Sequence, residues 1–291
     1  MADVNTSSPQ EAPIYRSSPL RRALSEPLTL IGVIVVVMHL LLGALSPLIA
    51  PYDASALVGA PLMPPSSEFL MGTDQIGRDY FSRIIEGGRI ALMVSFCGVA
   101  IALVIGSILG VLAGYLGGRF DEAIMRFVDA MMAIPEIIMI AILTLALGKD
   151  VVALIPIVAV VYTWGVVRVI RSKTISLSTL DFVRAAELRG ETRWSIMLRE
   201  IFPNLIGLLG VELAVRVSSA VLRISALSFL GLGISQPTPD WGLMVQEAMG
   251  VVFTDPWFLL LPAAMLSSLI IAVNFAVDGF ASAFGITSTE L

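Results

Sequence analysis

One cysteine and one histidine serve all 291 residues, and only 14% of the chain is charged. Each shortage closes a route. A lone Cys97 excludes an intramolecular disulfide, and inside its apolar run packing is the reading for it, ahead of a reactive thiol. Cys/His metal spacing cannot be written with one of each, and a Ser-His-Asp triad would have to draw on His39 from within an apolar segment. His39 is therefore read as a packed or snorkelling side chain. No G-x-x-x-x-G-K-[ST] occurs, since Gly148-Lys149-Asp150 fails the pattern, and no dinucleotide fingerprint precedes a helix. A Walker-type ATP site is thereby excluded, and an intramembrane enzyme is not expected.

What the chain has instead is oil. It is 57% hydrophobic with a mean hydropathy of +0.90, far from the usage of a soluble domain, so the expected class is an all-α polytopic membrane protein. Residues 1–27 are rich in Ser and Pro and read as a flexible tail. Six apolar runs follow, at 28–50, 90–115, 123–147, 151–170, 205–227 and 257–280, within a transmembrane domain taken as 28–280, with 281–291 as a second short tail. The first run is too long for a signal-peptide core and is expected to stay uncleaved. Residues 51–88, broken by Pro51, Pro61, Pro64 and Pro65, read as a first outer loop. Gly106, Gly110 and Gly114, four residues apart, predict a tight helix contact.

Residues 171–204 form the longest charged interval. A helix across Asp181 places Asp181, Arg184, Glu187 and Glu191 on one face and Phe182, Ala185, Ala186 and Gly190 on another, as docking into a partner's groove requires; Gly190 marks its stop. The Lys and Arg distribution sets the orientation. Arg16, Arg21, Arg22, Arg119, Arg171, Lys173, Arg184, Arg189, Arg193 and Arg199 gather with the termini and this interval, against Arg78, Arg83, Arg89 and Lys149 opposite, so the termini and 171–204 are expected in the cytoplasm. Within the spans, Asp129 is read as pairing with Arg126, three residues earlier. Glu212, Arg216, Ser219 and Arg223 line one face of the fifth run. We read Glu212, Arg216 and Ser219 as facing a translocation pathway and Arg223 as near its outer mouth; a neutral Glu212–Arg216 pair joining helices is the structural alternative.

Three blocks carry a family resemblance. Met71-Gly72-Thr73-Asp74-Gln75-Ile76-Gly77-Arg78-Asp79 is similar to an L-G-T-D-x-x-G-R-D block, and Ser228-Phe229-Leu230-Gly231-Leu232-Gly233 with Pro237, Pro239, Trp241 and Gly242 to a second block. Ala185, Ala186, Gly190, Ile196, Pro203 and Asn204 match a cytoplasmic E-A-A loop. Together they resemble the membrane permease subunits of bacterial ABC importers, in particular the C-type permease of dipeptide and oligopeptide systems. Arg184 stands where that motif has Glu, Glu200 where many members have His, and the charge of the fifth span exceeds the family's habit.

The resemblance implies a six-span permease in the bacterial plasma membrane. Its partners would be a second, B-type permease, cytoplasmic ATPases that bind ATP and Mg, and an extracytoplasmic peptide-binding protein; this chain would hold no cofactor and meet no nucleic acid. Residues 181–190 would be the coupling helix. Gly72, Thr73, Asp74, Gly77, Arg78, Asp79 and Trp241 would belong to the outer partner surface. A permease for nickel or another small solute is the alternative substrate reading, and a self-sufficient secondary transporter using Asp129, Glu136, Glu212 and Arg216 the alternative mechanism.

Overall fold

The computed structural model describes residues 19–284; residues 1–18 of the tail read at 1–27, with Arg16, and residues 285–291 of the tail read at 281–291 lie outside the described residues, while residues 19–25 of the first are helical. Among the described residues the regular elements are helices: α1 (Pro19–Ser25), α2 (Pro27–Ile49), α3 (Tyr80–Leu116), α4 (Gly118–Met132), α5 (Glu136–Leu147), α6 (Val151–Ser178), α7 (Asp181–Leu188), α8 (Arg193–Ser195), a π-helical turn (Ile196–Ile201), α9 (Phe202–Phe229), α10 (Trp241–Ala248) and α11 (Trp257–Phe284). Five helical stretches are long and apolar enough to cross a membrane, and α4 with α5 makes a sixth if that bent pair is one span.

Local chemistry places several of these ends. The first loop stops at Asp79, not at residue 88, because the Asp79 carboxylate accepts from the Ser82 N–H at 2.8 Å and the Ser82 hydroxyl at 2.6 Å and so caps α3 nine residues early. Asp150 caps α6 in the same way, accepting from the Ala153 N–H at 2.8 Å. Gly190, at φ +77°, ends α7 with its N–H on the Glu187 carbonyl and the Glu191 N–H on that of Ala186, which is the expected glycine stop. The third run is not one straight span. Pro135 has no N–H to give, and α4 and α5 meet there at 83°.

The Gly106, Gly110 and Gly114 stripe does what its spacing predicts. A Cβ built on Gly106 would sit 2.6 Å from Val166 Cβ, one on Gly110 2.8 Å from Ile170 Cβ, and one on Gly114 2.8 Å from Thr174 Cβ; Gly98 extends the stripe onto Val158. The contacts advance in step along both helices, so α3 and α6 run parallel with their backbones close together. This seam anchors the larger core, to which α5, α7, the π-helical turn and α9 add Ile140, Val183, Ile196, Ile201, Leu205 and Ile224. A second core joins the start of α3 to α9, α10 and α11 around Trp241 and Leu269. Gly32 of α2 and Gly279 of α11 open a third close contact, against Ala272 and Thr29. Leu28, Ile31, Ile34, Met38, Leu41 and Leu45 leave α2 with an exposed apolar face, which suits lipid.

Candidate functional site

Three places concentrate polar chemistry in this bundle. The first is α7, which stands at the end of α6 between Leu180 and Gly190. Val183 and Ala186 are fully buried in the chain's own core, and Phe182 packs partly against it. Asp181, Arg184, Ala185, Glu187 and Gly190 are exposed, and Leu188 is 90% exposed. The small-residue face expected to meet a partner is thus split: Ala186 with Phe182 holds the helix to the body, while Ala185 with Asp181, Arg184 and Leu188 is presented outward. One hydrogen bond ties it to α3 and an ion pair orders the loop that follows. The Tyr115 hydroxyl at the end of α3 donates to Glu187 Oε1 at 3.2 Å, and beyond the helix Arg189 Nη2 donates to Glu191 at 2.6 Å. The Arg189 hydrogen bond, with the Ser195 hydroxyl, holds the Glu191 carboxyl below its ordinary value.

The second place is the charged stripe of α9. Glu212 is 2% exposed and accepts from Arg216 Nε at 2.5 Å, one turn along the helix. The Arg216 guanidinium lies where Gly165 of α6 leaves room; a Cβ there would come within 2.6 Å of Nη1. Within this chain the pair is interior and closed on itself, the arrangement of the structural alternative. Ser219 is half-buried. Arg223 behaves differently. It reaches from α9 to Glu136, the first residue of α5, and its Nη1 also donates to the Tyr162 hydroxyl of α6 at 3.0 Å.

This contact belongs to a series that the sequence did not reveal. Asp129 of α4 pairs with Arg168 of α6, not with Arg126, whose partner is Glu122 at 2.5 Å. Asp121 of α4 takes Arg171 of α6 through both carboxylate oxygens, with Nη2 to Oδ2 at 2.5 Å. Three acids of the bent span, at 121, 129 and 136, therefore each meet an arginine of a neighbouring helix. Asp121 and Asp129, eight residues apart on α4, return to the same side of that helix, which was the available signal; Glu136 lies beyond the 83° bend. His39 sits apart from this series, buried between the Val35 carbonyl at 2.8 Å and the Ser268 hydroxyl at 3.3 Å, packed as expected.

The third place is the loop-rich end opposite α7. Gly72 (φ +75°) and Gly77 (φ +92°) turn the chain so that Thr73, Asp74, Arg78 and Asp79 point inward. Thr73 donates to the Ala60 carbonyl at 2.6 Å and accepts from the Met63 N–H at 2.8 Å. Asp74 receives Arg78 Nε at 2.6 Å and Arg83 Nη1 at 2.5 Å; Glu247 of α10 receives Arg83 Nη2 at 2.8 Å, Arg78 Nη2 at 3.2 Å and the Gln236 amide at 2.6 Å. Burial pushes the Glu247 carboxyl above its ordinary value against the pull of Gln236 and Arg78. Trp241 is buried against Gly88, with its indole N–H on the Ile84 carbonyl at 2.8 Å. These residues were expected on a partner surface; within this chain they are buried, and Gln75 and Ile76 are the exposed members of the block. Among the described residues no group of three or more His, Cys, Asp and Glu side chains is arranged to hold a metal.

Residues 106–285 match the family described as binding-protein-dependent transport system inner membrane component. The chain is 35% identical to the "Probable D,D-dipeptide transport system permease protein DdpC" of Escherichia coli K12 over 87% of this chain and 85% of the relative. It is 33% identical to the dipeptide transport system permease protein DppC of Alkalihalophilus pseudofirmus, over 95% and 93% respectively. It is 34% identical to the oligopeptide transport system permease protein OppC of Haemophilus influenzae, over 79% and 74%.

Proposed function

Because the chain belongs to the family of binding-protein-dependent transport system inner membrane components, we propose that it is the C-type permease subunit of an ATP-driven importer of dipeptides and oligopeptides. An extracytoplasmic binding protein delivers the peptide, this chain and a B-type permease form the path, and ATPase subunits that bind ATP and Mg drive it. This chain is not itself the ATPase. Its termini and α7 face the cytoplasm, in keeping with the arginines gathered there.

The observation that carries the mechanism is the split surface of α7. Val183 and Ala186 lock the helix onto the core built by α3, α6 and the π-helical turn, while Leu188, Ala185, Arg184 and Asp181 stand free to enter a cleft. A helix held that way moves with the bundle. Closure of an ATPase pair then reaches the spans through α6 before α7 and the π-helical turn and α9 after it, and the two states of the bundle are selected by the contacts they make with the closed and open ATPases. The secondary-transport reading loses ground because Asp129, Glu136 and Glu212 are each engaged by an arginine.

The test uses the full complex in proteoliposomes. Leu188→Asp, at a position that makes little contact with its own chain, should leave assembly intact while reducing ATP-driven peptide uptake and peptide-stimulated ATP hydrolysis together. Normal coupled rates in Leu188→Asp and in Arg184→Ala/Leu188→Asp would overturn the assignment of α7.

A further inference from the structure

The two ion pairs of α9 differ in one respect that bears on substrate. The Glu212–Arg216 pair is closed, with side chains 3% and 15% exposed. The Glu136–Arg223 pair is open, at 39% and 36%, and it sits where Pro135 bends the third span. Arg223 uses Nη1 for both of its hydrogen bonds, to Glu136 and to the Tyr162 hydroxyl; its Nε and Nη2 donate to no acceptor among the described residues. Its guanidinium carbon lies 5.6 Å from the Tyr162 ring centroid, so the ring fixes the plane of the fork from one side. An oriented guanidinium with an unused edge is the geometry that binds a carboxylate through two parallel hydrogen bonds.

From this arrangement we infer that Glu136 and Arg223 form a peptide-terminus subsite of the path: Arg223 takes the α-carboxylate of a passing peptide and Glu136 its α-ammonium. The inference rests on the peptide reading given above. Exchange is feasible because the resident pair is half-open and joins two different helices, so a ligand carrying both charges replaces one pair of opposite charges by two. The site is neutral before and after occupation, which lets it hold a zwitterion without leaving a bare charge among apolar helices when the peptide departs. Tyr162 is a positioning residue in this scheme, since its hydroxyl meets Arg223 while its ring is held in the core. The subsite selects for free termini and is indifferent to the side chains between them. No covalent step is involved.

The experiment measures uptake by the whole importer in proteoliposomes, with binding protein supplied at saturation. Three probes are used: one tripeptide with free termini, its N-acetylated form and its C-amidated form, each first shown to bind the binding protein. Arg223→Gln should lower uptake of the two carboxylate-bearing probes on the order of tenfold and leave the amide form within about twofold of wild type, the size expected for losing a charge-assisted hydrogen bond. Glu136→Gln should do the converse, sparing the N-acetylated probe. Where either single variant fails to assemble, the exchange Glu136→Arg/Arg223→Glu keeps the pair, and an altered ratio among the three probes supports the subsite. Equal effects on all three probes, or none, in the assembled variants would overturn it. A wild-type complex that imports none of the probes would instead remove the peptide reading on which the inference stands.

Discussion

Arg83 offers the sharpest stability test of the loop-rich end. Its side chain is 0% exposed, and it bridges Asp74 at 2.5 Å and Glu247 at 2.8 Å, tying the first loop and α3 to α10. Arg83→Leu fills much of the same volume with apolar atoms but leaves two buried carboxylates sharing Arg78. Removing one partner from a buried ionic group costs about 3–5 kcal/mol. By the scaling for chains of this size, that lowers the unfolding midpoint by on the order of 10 °C. Glu247→Leu added to Arg83→Leu restores charge balance, because Asp74 and Arg78 remain as a pair at 2.6 Å, so the double variant should recover much of the loss. Thermal unfolding in detergent, followed by Trp fluorescence, reads all four corners of the cycle. A midpoint for Arg83→Leu within about 1 °C of wild type, or a double variant whose loss is the sum of the two single losses, would refute the network.

Three further outcomes follow from the geometry. Glu212→Leu/Arg216→Leu should assemble and keep the peptide preference of wild type, whereas Glu212→Leu alone, which strands a guanidinium in the bundle, should lose about 3–5 kcal/mol of stability, both read by detergent unfolding and uptake. Gly110→Leu should cost about 1–3 kcal/mol by forcing α3 off Ile170, and Ile170→Ala in the same chain should return part of it, measured as the shift in unfolding midpoint. Asp240 accepts from the Leu243 N–H at 3.1 Å, and burial raises its carboxyl, so the folded protein holds that proton more tightly than the unfolded chain. Its contribution is full below the ordinary carboxylate pKa and is lost as pH rises above that range through the raised value; Asp240→Asn should remove this slope while keeping the cap.

Much of the fold was legible because its signals are local or periodic. Run length marks the apolar spans, Gly106, Gly110 and Gly114 announce the α3–α6 seam, and Gly190 stops α7. The motif blocks are those of the family whose model matches residues 106–285 or of its relatives. The site was less legible, for two physical reasons. A helix of eight residues between Leu180 and Leu188 has too few turns for periodicity to say which face is inside, and Val183 with Ala186 settled that. Polar residues in the Gly72–Trp241 blocks were expected on a surface because the family resemblance implies one, yet Asp74 and Arg78 are buried, with Arg83 of α3, because each has an opposite charge in reach. The Asp129–Arg168 and Glu136–Arg223 pairs join residues 39 and 87 positions apart, and a single sequence holds no term that chooses Arg168 over the nearer Arg126.

The central claim is ATP-driven peptide import through a path of which this chain is one half. Its most direct test is uptake of a radiolabelled dipeptide into proteoliposomes holding this chain, its partner permease and the ATPases, with binding protein outside and ATP supplied to the ATPases. The account predicts accumulation that stops when ATP, the binding protein or this chain is omitted, and no ATP hydrolysis by this chain purified alone. Dipeptide accumulation by this chain alone under a proton gradient, or an assembled complex that hydrolyses ATP yet carries no peptide, would contradict it.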